Sequence, residues 1–238
     1  MKDWTYDKAA DLGLPPGARL RSVKREPGLL SFTGHCATTA ALRLYLAGYH
    51  RFRVRGRENL PRQAPFILIS NHSSHLDALA LSASLPIRAR IDTFPVAAGD
   101  IFFRNSATSL LASLFLNALP LYRKGVTSHA LEDLRARISD GHSGLILFPE
   151  GTRSRTGEIG TFKAGLGMMV AGTSVPVIPC RFAGSLEALP AGKWLPRPRQ
   201  VTLVVGRALS FADVANDKEG WTNVAARCEA AVRSLVCE

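Results

Sequence analysis

Two side chains that can do acid–base chemistry follow a short apolar run at residues 66–70. They are His72 and Asp77, five positions apart. A histidine titrates near neutral pH, so it can take a proton from an alcohol as that alcohol attacks a carbonyl. A carboxylate bonded to the second ring nitrogen fixes the tautomer and stabilises the imidazolium that forms. If the chain turns into a helix after His72, the side chains converge, which predicts a general base with an orienting partner.

Two other interpretations of these residues stay open on their spacing alone. His72 can be an ordinary hydrogen-bonding loop residue, with Asp77 as the N-cap of a helix. His72, His75 and Asp77 can also be metal ligands, although no further His or Cys cluster supplies a fourth ligand. The 4 cysteines are scattered, which favours buried thiols in a reducing compartment over a disulfide framework or a metal site.

A second polar cluster follows the apolar run at residues 145–148. Its sequence over residues 148–155 is Phe-Pro-Glu-Gly-Thr-Arg-Ser-Arg. Gly151 permits a close backbone approach. The side chains that suit a phosphate are those of Thr152, Arg153 and Ser154. A surface turn in which Glu150 pairs with an arginine is the plainer alternative. Arg123, after a short run at residues 121–122, is a third basic candidate.

Around these clusters, short apolar runs alternate with helical patterns. Strands are predicted at residues 66–70, 94–97, 121–122, 145–148, 175–180 and 201–205. Helices are predicted at residues 28–50, 77–85, 106–118, 128–139, 164–171 and 222–236. We therefore predict an α/β fold: a single layered domain with a central, mostly parallel or mixed sheet flanked by helices. Functional groups gather at strand ends in such folds, which is where both clusters lie.

The charge balance is strongly basic. The 238 residues fit one large domain, and 30 Lys and Arg against 19 Asp and Glu give a formal net charge of +11. Such a surface indicates a polyanionic partner: nucleic acid, anionic lipid head groups or a phosphorylated substrate. A basic nucleic-acid-binding protein is thus the alternative from another class. Only a thin basic–aromatic alternation at residues 51–57 supports it, so we expect no nucleic acid partner.

The first fifty residues predict contact with a membrane surface. Residues 1–11 are charged and polar, so no secretory signal is visible, and no apolar run reaches the roughly 18 residues of a transmembrane helix. Residues 28–50 predict a helix with an apolar stripe, and arginines follow it at positions 51, 53, 55 and 57. The stripe consists of Phe32, Cys36, Ala40, Leu44 and Ala47. Such a helix can lie in a bilayer interface, or it can pack on the core ahead of a solvated basic strand.

Taken in order, the clusters resemble the four sequence blocks of the glycerolipid acyltransferases, which include the lysophosphatidic acid (1-acylglycerol-3-phosphate) acyltransferases. The blocks here are Asn71-His72-x-Ser74-x-x-Asp77, Arg123, residues 148–154, and Val-Pro-Val-Ile-Pro at 175–179. Phe-Lys-Ala-Gly at residues 162–165 is similar to the family's link between its third and fourth blocks. The resemblance extends from about residue 52 to residue 206 of the sequence.

The resemblance implies a role for each matched residue. His72 would be the general base and Asp77 its orienting partner. The acceptor's polar and phosphate-binding site would be formed by Arg123, Glu150, Gly151, Thr152 and Arg153. The second block departs most from the family, because Leu-Pro-Leu-Tyr precedes Arg123 here in place of the usual apolar run.

The resemblance also implies a reaction and a location. A fatty acyl group would pass from acyl-CoA or acyl-carrier-protein to a lysophospholipid hydroxyl, most simply that of 1-acylglycerol-3-phosphate, with no metal or bound cofactor. Another lyso-lipid, such as lyso-ornithine lipid, is the alternative acceptor. We expect an N-terminal segment with an amphipathic interfacial helix at residues 1–50 and an acyltransferase domain at residues 51–238. The protein would be peripheral or monotopic on the cytoplasmic face of an anionic membrane.

Overall fold

The structure, a computed structural model, describes Gly13 and residues 29–98, 119–121 and 128–237. The strands in these residues are β1 Arg53–Arg55, β2 Phe66–Ser70, β3 Thr93–Ala98, β4 Leu119–Leu121, β5 Gly144–Leu147, β6 Val177–Ala183 and β7 Thr202–Val205. The helices are α1 Leu29–His50, α2 Leu76–Ser84, α3 Ile87–Ile91, α4 Ser128–Ser139, α5 Gly165–Val170, α6 Ser185–Ala188 and α7 Lys218–Ser234. A short 3₁₀ turn follows β1 at Arg57–Asn59.

The described strands form one sheet in the order β1-β7-β6-β2-β5-β3-β4. The five strands from β6 to β4 run parallel to one another. Strand β7 is antiparallel to β6, and β1 pairs parallel to β7 at the edge. The sheet is therefore mixed with a parallel centre, which confirms the predicted α/β fold class.

The central strands β2 and β5 are buried along their whole length because helices cover both faces of the sheet. Ile67 and Ile69 of β2 point to the layer formed by α4, α5 and α7. Phe66 and Leu68 point to the opposite layer, where α1, α2 and α3 pack. Alternate side chains of β2 thus pack into two hydrophobic cores, one on each face of the sheet. This packing on both faces fixes the position of the end of β2.

Helix α1 confirms the helix predicted at residues 28–50, but its apolar stripe faces away from the core. Leu46 is buried against α2 and β-strand residues, together with the polar His35 and Thr39. Leu44 is 76% exposed and Phe32 42% exposed. The only Arg, Lys, Asp or Glu in the helix is Arg43, so the outward face is nearly uncharged. Among the described residues, no helix has the length and apolar character needed to cross a membrane.

Several predicted boundaries differ from the observed elements. Helix α7 begins at Lys218, four residues before the prediction, because the Asp217 carboxylate accepts a hydrogen bond from the Gly220 N–H at 2.8 Å and caps the helix. The strand predicted at residues 175–180 is displaced to Val177–Ala183. The short helices α3 and α6 were not predicted. The helix predicted at residues 106–118 lies outside the described residues.

Candidate active site

His72 and Asp77 converge, as their spacing predicted. His72 follows the end of β2, and Asp77 is the second residue of α2. The ring Nδ1 lies 3.0 Å from Asp77 Oδ2. The same oxygen accepts hydrogen bonds from the backbone N–H groups of Ser73 and Ser74, each at 2.8 Å. Asp77 therefore holds the loop that carries His72, and it does not cap α2, whose N-cap is His75.

This arrangement fixes the protonation pattern of the His72 ring. Because Asp77 Oδ2 is an acceptor, Nδ1 carries the hydrogen and the lone pair of Nε2 is left to accept a proton. The Asp77 side chain is 0% exposed, whereas that of His72 is 20% exposed. The Phe148 ring stacks on the imidazole, with centroids 4.0 Å apart and planes at 19°. Phe148 thus covers one face of the ring, while part of the His72 side chain stays accessible.

Glu150 joins the two polar clusters through the backbone. Its Oε1 accepts a hydrogen bond from the His72 N–H at 2.9 Å, and its Oε2 accepts one from the Gly160 N–H at 2.9 Å. The Ser154 N–H in turn donates to the His72 carbonyl at 2.7 Å. Burial raises the pKa of Glu150, against the lowering effect of both N–H groups. The structure gives Glu150 a positioning role, and its contact with the acceptor stays a prediction.

The turn after Glu150 brings a further cation to the site. Gly151 has φ 74°, a left-handed conformation that favours glycine. A Cβ at this position would meet the amino group of Lys163, so that amino group lies against the turn. Thr152 and Lys163 are both exposed. Lys163 belongs to the Phe-Lys-Ala-Gly segment at residues 162–165, and its closeness to Gly151 arises from a tertiary contact that the sequence alone does not show.

Arg153 extends from this turn to the other cluster, where its Nη1 contacts His75 Nε2. The Trp194 ring stacks beyond His75, with centroids 6.1 Å apart. Burial, followed by the charge of Arg153, lowers the pKa of His75. A guanidinium at Nε2 does not suit a metal ligand. Within residues 29–98, 119–121 and 128–237, no group of three or more His, Cys, Asp and Glu side chains could hold a metal ion.

Comparison with known proteins shows the family of the chain that carries this site. A sequence model described as Acyltransferase matches residues 51–183, more than half of the chain. The chain belongs to the Acyltransferase family. The matched region includes every predicted site residue, from His72 to Arg153. The resemblance drawn from the ordered blocks is thereby confirmed.

Individual members of the acyltransferase family agree with this assignment. The chloroplastic 1-acyl-sn-glycerol-3-phosphate acyltransferase of Brassica napus is 31% identical over 150 residues, covering 60% of this chain and 40% of that protein. The alpha enzyme of the same name from Homo sapiens is 30% identical over 137 residues, covering 57% of this chain and 46% of that protein. The chain thus spans less than half the length of these curated relatives.

A solved structure shares the fold of this acyltransferase family member. It is the 1-acyl-sn-glycerophosphate acyltransferase of Thermotoga maritima, with a TM-score of 0.61 over 88% of this chain and 81% of that one. Sequence identity is 22%, so this likeness speaks for the fold. Arg123, the second block of the acyltransferase pattern, lies outside the described residues, and its role stays a prediction.

An open cleft of about 800 Å³ lies beside the loop that carries His72, on the side of β6. Asn71 and Ser73 lie on its wall, next to Arg181 and Ser185. The Asn71 side chain clamps β2 to β6: its Oδ1 accepts from the Phe182 N–H at 2.8 Å, and its Nδ2 donates to the Phe182 carbonyl at 3.2 Å. The asparagine that precedes His72 thus holds β2 and β6 together at the start of the loop that carries His72.

Proposed function

We propose that this protein transfers a fatty acyl group from an acyl thioester to the hydroxyl of a lysophospholipid, chiefly 1-acylglycerol-3-phosphate, giving phosphatidic acid. The observation that carries the proposal is the buried Asp77 carboxylate, 3.0 Å from Nδ1 of a His72 side chain that remains 20% exposed. The curated relatives named above bear the name of this reaction, which supports the choice of acceptor.

The chemistry is a direct transfer in which atoms and charges balance. The acceptor hydroxyl gives its proton to His72 Nε2 while its oxygen attacks the thioester carbonyl. Asp77 stabilises the imidazolium that results. When the tetrahedral intermediate collapses, the carbon–sulfur bond breaks and the thiolate takes the proton from Nε2. The products are an ester and a free thiol, and neither a metal nor a bound cofactor is needed for this balance. The donor is acyl-CoA or acyl-carrier-protein.

The phosphate of the acceptor would bind at the turn after Glu150. Arg153 and Lys163 bring two positive charges to that turn, and Arg123 would add a third by the family pattern. Because Gly151 has no side chain, the Lys163 amino group can lie directly against this turn. A guanidinium binds phosphate through directed, charge-assisted hydrogen bonds, which favours a phosphorylated acceptor over an uncharged one.

The protein would work as a peripheral or monotopic protein on the cytoplasmic face of an anionic membrane. The outward face of α1 is apolar and nearly uncharged, and Leu44 is 76% exposed on it. Four exposed arginines, at positions 51, 53, 55 and 57, follow this helix directly. An apolar face beside a basic cluster fits an interface with negatively charged head groups, which are abundant in the cytoplasmic leaflet.

The experiment that tests the proposed reaction is an acceptor panel. The purified protein of residues 1–238 receives a labelled acyl-CoA or, in parallel, an acyl-carrier-protein loaded with the labelled acyl group. The acceptor is lysophosphatidate, lyso-ornithine lipid, uncharged monoacylglycerol or none. We expect thiol release that depends on the acceptor and is fastest with lysophosphatidate. Faster thiol release with lyso-ornithine lipid would mean that this lipid, and not lysophosphatidate, is the preferred acceptor. Equal thiol release without any acceptor would contradict acyl transfer altogether.

A matched pair of arginine variants tests the phosphate site. Arg153→Gln should raise the KM for lysophosphatidate about tenfold or more, because one charge-assisted contact is lost, while monoacylglycerol turnover changes little. Arg155→Gln, two residues further along the same turn and exposed, is the control and should leave the KM unchanged. Equal KM values for the two variants would remove Arg153 from the acceptor site.

A further inference from the structure

The loop at residues 190–199 holds two adjacent large apolar side chains in solvent. Trp194 is 88% exposed and Leu195 is 84% exposed, the highest values among the large apolar side chains of the described residues. Single exposed apolar residues are ordinary on protein surfaces. A neighbouring Trp–Leu pair at a loop tip is different, because tryptophan favours the boundary between lipid and water.

The charge of the same loop fits a negatively charged surface. Lys193, Arg197 and Arg199 are all exposed, and residues 190–200 contain no acidic residue. Basic side chains that flank an apolar tip attract anionic head groups while the tip enters the acyl-chain boundary. The loop therefore combines both attractions that hold a protein segment at an anionic bilayer.

Backbone hydrogen bonds hold the loop in one conformation, and this conformation keeps the two side chains at its tip exposed. The Lys193 N–H donates to the Pro190 carbonyl at 3.1 Å, and the Arg197 N–H donates to the Ala188 carbonyl at 2.7 Å. Prolines 190, 196 and 198 restrict the chain further. The Lys193 bond closes a turn within the loop, whereas the Arg197 bond and an isolated β-bridge between Ser74 and Pro190 fasten its two arms to the domain. The Trp–Leu tip lies between these two attachments.

The loop also joins the two regions that the proposed function places at the membrane. The Tyr49 hydroxyl, at the end of α1, donates to the Pro196 carbonyl at 3.0 Å. On the other side, the Trp194 ring stacks on His75, which lies between His72 and Asp77 in the sequence. The loop is thus continuous with the outward helix and with the mouth of the catalytic site.

We propose that the 190–199 loop is an interfacial anchor that inserts Trp194 and Leu195 into an anionic bilayer and holds the mouth of the His72 site at the lipid surface. The insertion stands on the loop alone, whereas its benefit to lipid acylation rests on the proposed function. A nucleotide that stacked on Trp194 would give Leu195 no role, whereas a bilayer buries both side chains and draws on all three cations.

Vesicle binding tests the insertion. Wild-type protein, Leu195→Ser and the double variant Trp194→Ser/Leu195→Ser are sedimented with vesicles of phosphatidylglycerol and phosphatidylcholine. Val236→Ser is the control, because Val236 is an apolar side chain that is 62% exposed but lies outside the 190–199 loop. We expect the double variant to bind at least about tenfold more weakly and the control to bind like wild type. Equal binding of all four proteins would overturn the proposal.

Fluorescence locates the tip directly. Lipids brominated along the acyl chain should quench the tryptophan emission of the wild type on vesicle binding, and Trp194→Phe should lose that quenching while still binding. Quenching that is the same in Trp194→Phe would contradict insertion of Trp194. Release of the protein from vesicles by free CoA would likewise contradict it, because the exposed ring would then be a ligand platform.

Activity separates this inference from the proposed function. Leu195→Ser should acylate a short-chain, monomeric lysophosphatidate at the wild-type rate and a vesicle-borne one several-fold more slowly. An equal loss on both acceptors would show a structural role and overturn the anchor. If wild type acylates no acceptor yet its vesicle binding depends on the Trp–Leu pair, the proposed function fails and the anchor stands.

Discussion

At the scale of single residues, one oxygen atom organises the site. Oδ2 of Asp77 accepts hydrogen bonds from the His72 ring and from the N–H groups of Ser73 and Ser74. The carboxylate is 0% exposed, so no solvent competes for these bonds. The loop conformation and the ring orientation thus have the same origin, and the His72 ring is held in one orientation without a substrate.

Asp77→Asn should therefore damage catalysis more than binding. The amide can still accept hydrogen bonds, but it lacks the charge that stabilises the imidazolium in the transition state. We expect kcat to fall on the order of 10²-fold or more, while the KM for the acceptor changes little. Steady-state kinetics of the purified variant measure both. A raised KM with unchanged kcat would instead show that Asp77 serves binding.

His75 gives the fold a dependence on pH. Its pKa is lowered because it is partly buried and faces Arg153 and His72, while Asp77 acts in the opposite direction. The unfolded chain therefore takes up the proton before the folded chain does. The stability linked to His75 is fully present above the ordinary histidine pKa of about 6.5, and it is lost as the pH falls from that value through the lower pKa of the folded protein.

We expect His75→Gln to lose less stability on acidification than the wild type, because glutamine cannot take up that proton yet can still accept a bond from Arg153. Urea unfolding of both proteins at about pH 7.5 and about pH 5.5, on either side of the ordinary histidine pKa, measures the difference. The other titrating groups are common to both proteins and cancel in the comparison. Identical losses would show that the proton uptake of His75 is not linked to folding.

At the scale of elements, the parallel pairing of β2 with β5 assembles the site. Ile69 lies opposite Leu147, so both strands end at the same edge of the sheet. His72 follows one strand and Phe148 the other, and their rings stack there. The Glu150 carboxylate then ties the two loops together. Glu150 and His72 are 78 residues apart in the sequence, and strand register together with this hydrogen bond brings their two clusters into one site.

Helix α7 offers a test of local structure. Asp217→Ala removes the carboxylate that accepts from the Gly220 N–H, and it should lower the free energy of unfolding by about 1 kcal/mol. Asp213→Ala, an exposed aspartate outside the helix, is the matched control and should change stability by less than about 0.5 kcal/mol. Urea titration measures both. Equal effects would mean that general charge, and not capping, governs this region.

Sequence patterns predicted those elements whose apolar spacing matches what is buried. Strand β2 and helix α4 have the predicted bounds, because each presents a regular apolar pattern to a core. The pairing order of the strands was not predictable, since it depends on contacts distant in the sequence. For α1, apolar spacing identified the helix, but the buried face includes His35 and Thr39, which only the packed structure reveals.

The site was predictable to the extent that its residues follow strand ends. His72, Asp77 and the turn at residues 150–153 were all identified in this way, and the structure brings them together. Two contacts were not predicted: that of Lys163 with the Gly151 turn and that of Arg153 with His75. Both lie between loops whose sequences have no regular apolar period. Loop packing of this kind follows from tertiary contacts and is not encoded by local patterns.

At the scale of the whole molecule, the net charge of +11 would favour binding to the anionic membrane surface that we propose as a partner. The arginines after α1 and the cations of the 190–199 loop are exposed, so salt should screen their attraction to lipid. We expect binding to phosphatidylglycerol-containing vesicles to fall steeply as salt is raised towards about 1 M, where the Debye length is about 3 Å. Sedimentation across a salt series measures this, and binding that did not change with salt would leave the apolar contacts as the sole attraction.

The central claim is that His72 is the base for acyl transfer, and single-turnover kinetics of His72→Ala test it most directly. The purified variant and the wild type receive labelled acyl-CoA and lysophosphatidate under identical conditions, with thermal unfolding as the check on folding. We predict that the variant remains folded and forms phosphatidic acid at least about 10²-fold more slowly than the wild type. A folded His72→Ala protein that forms phosphatidic acid at a near-normal rate would contradict the account.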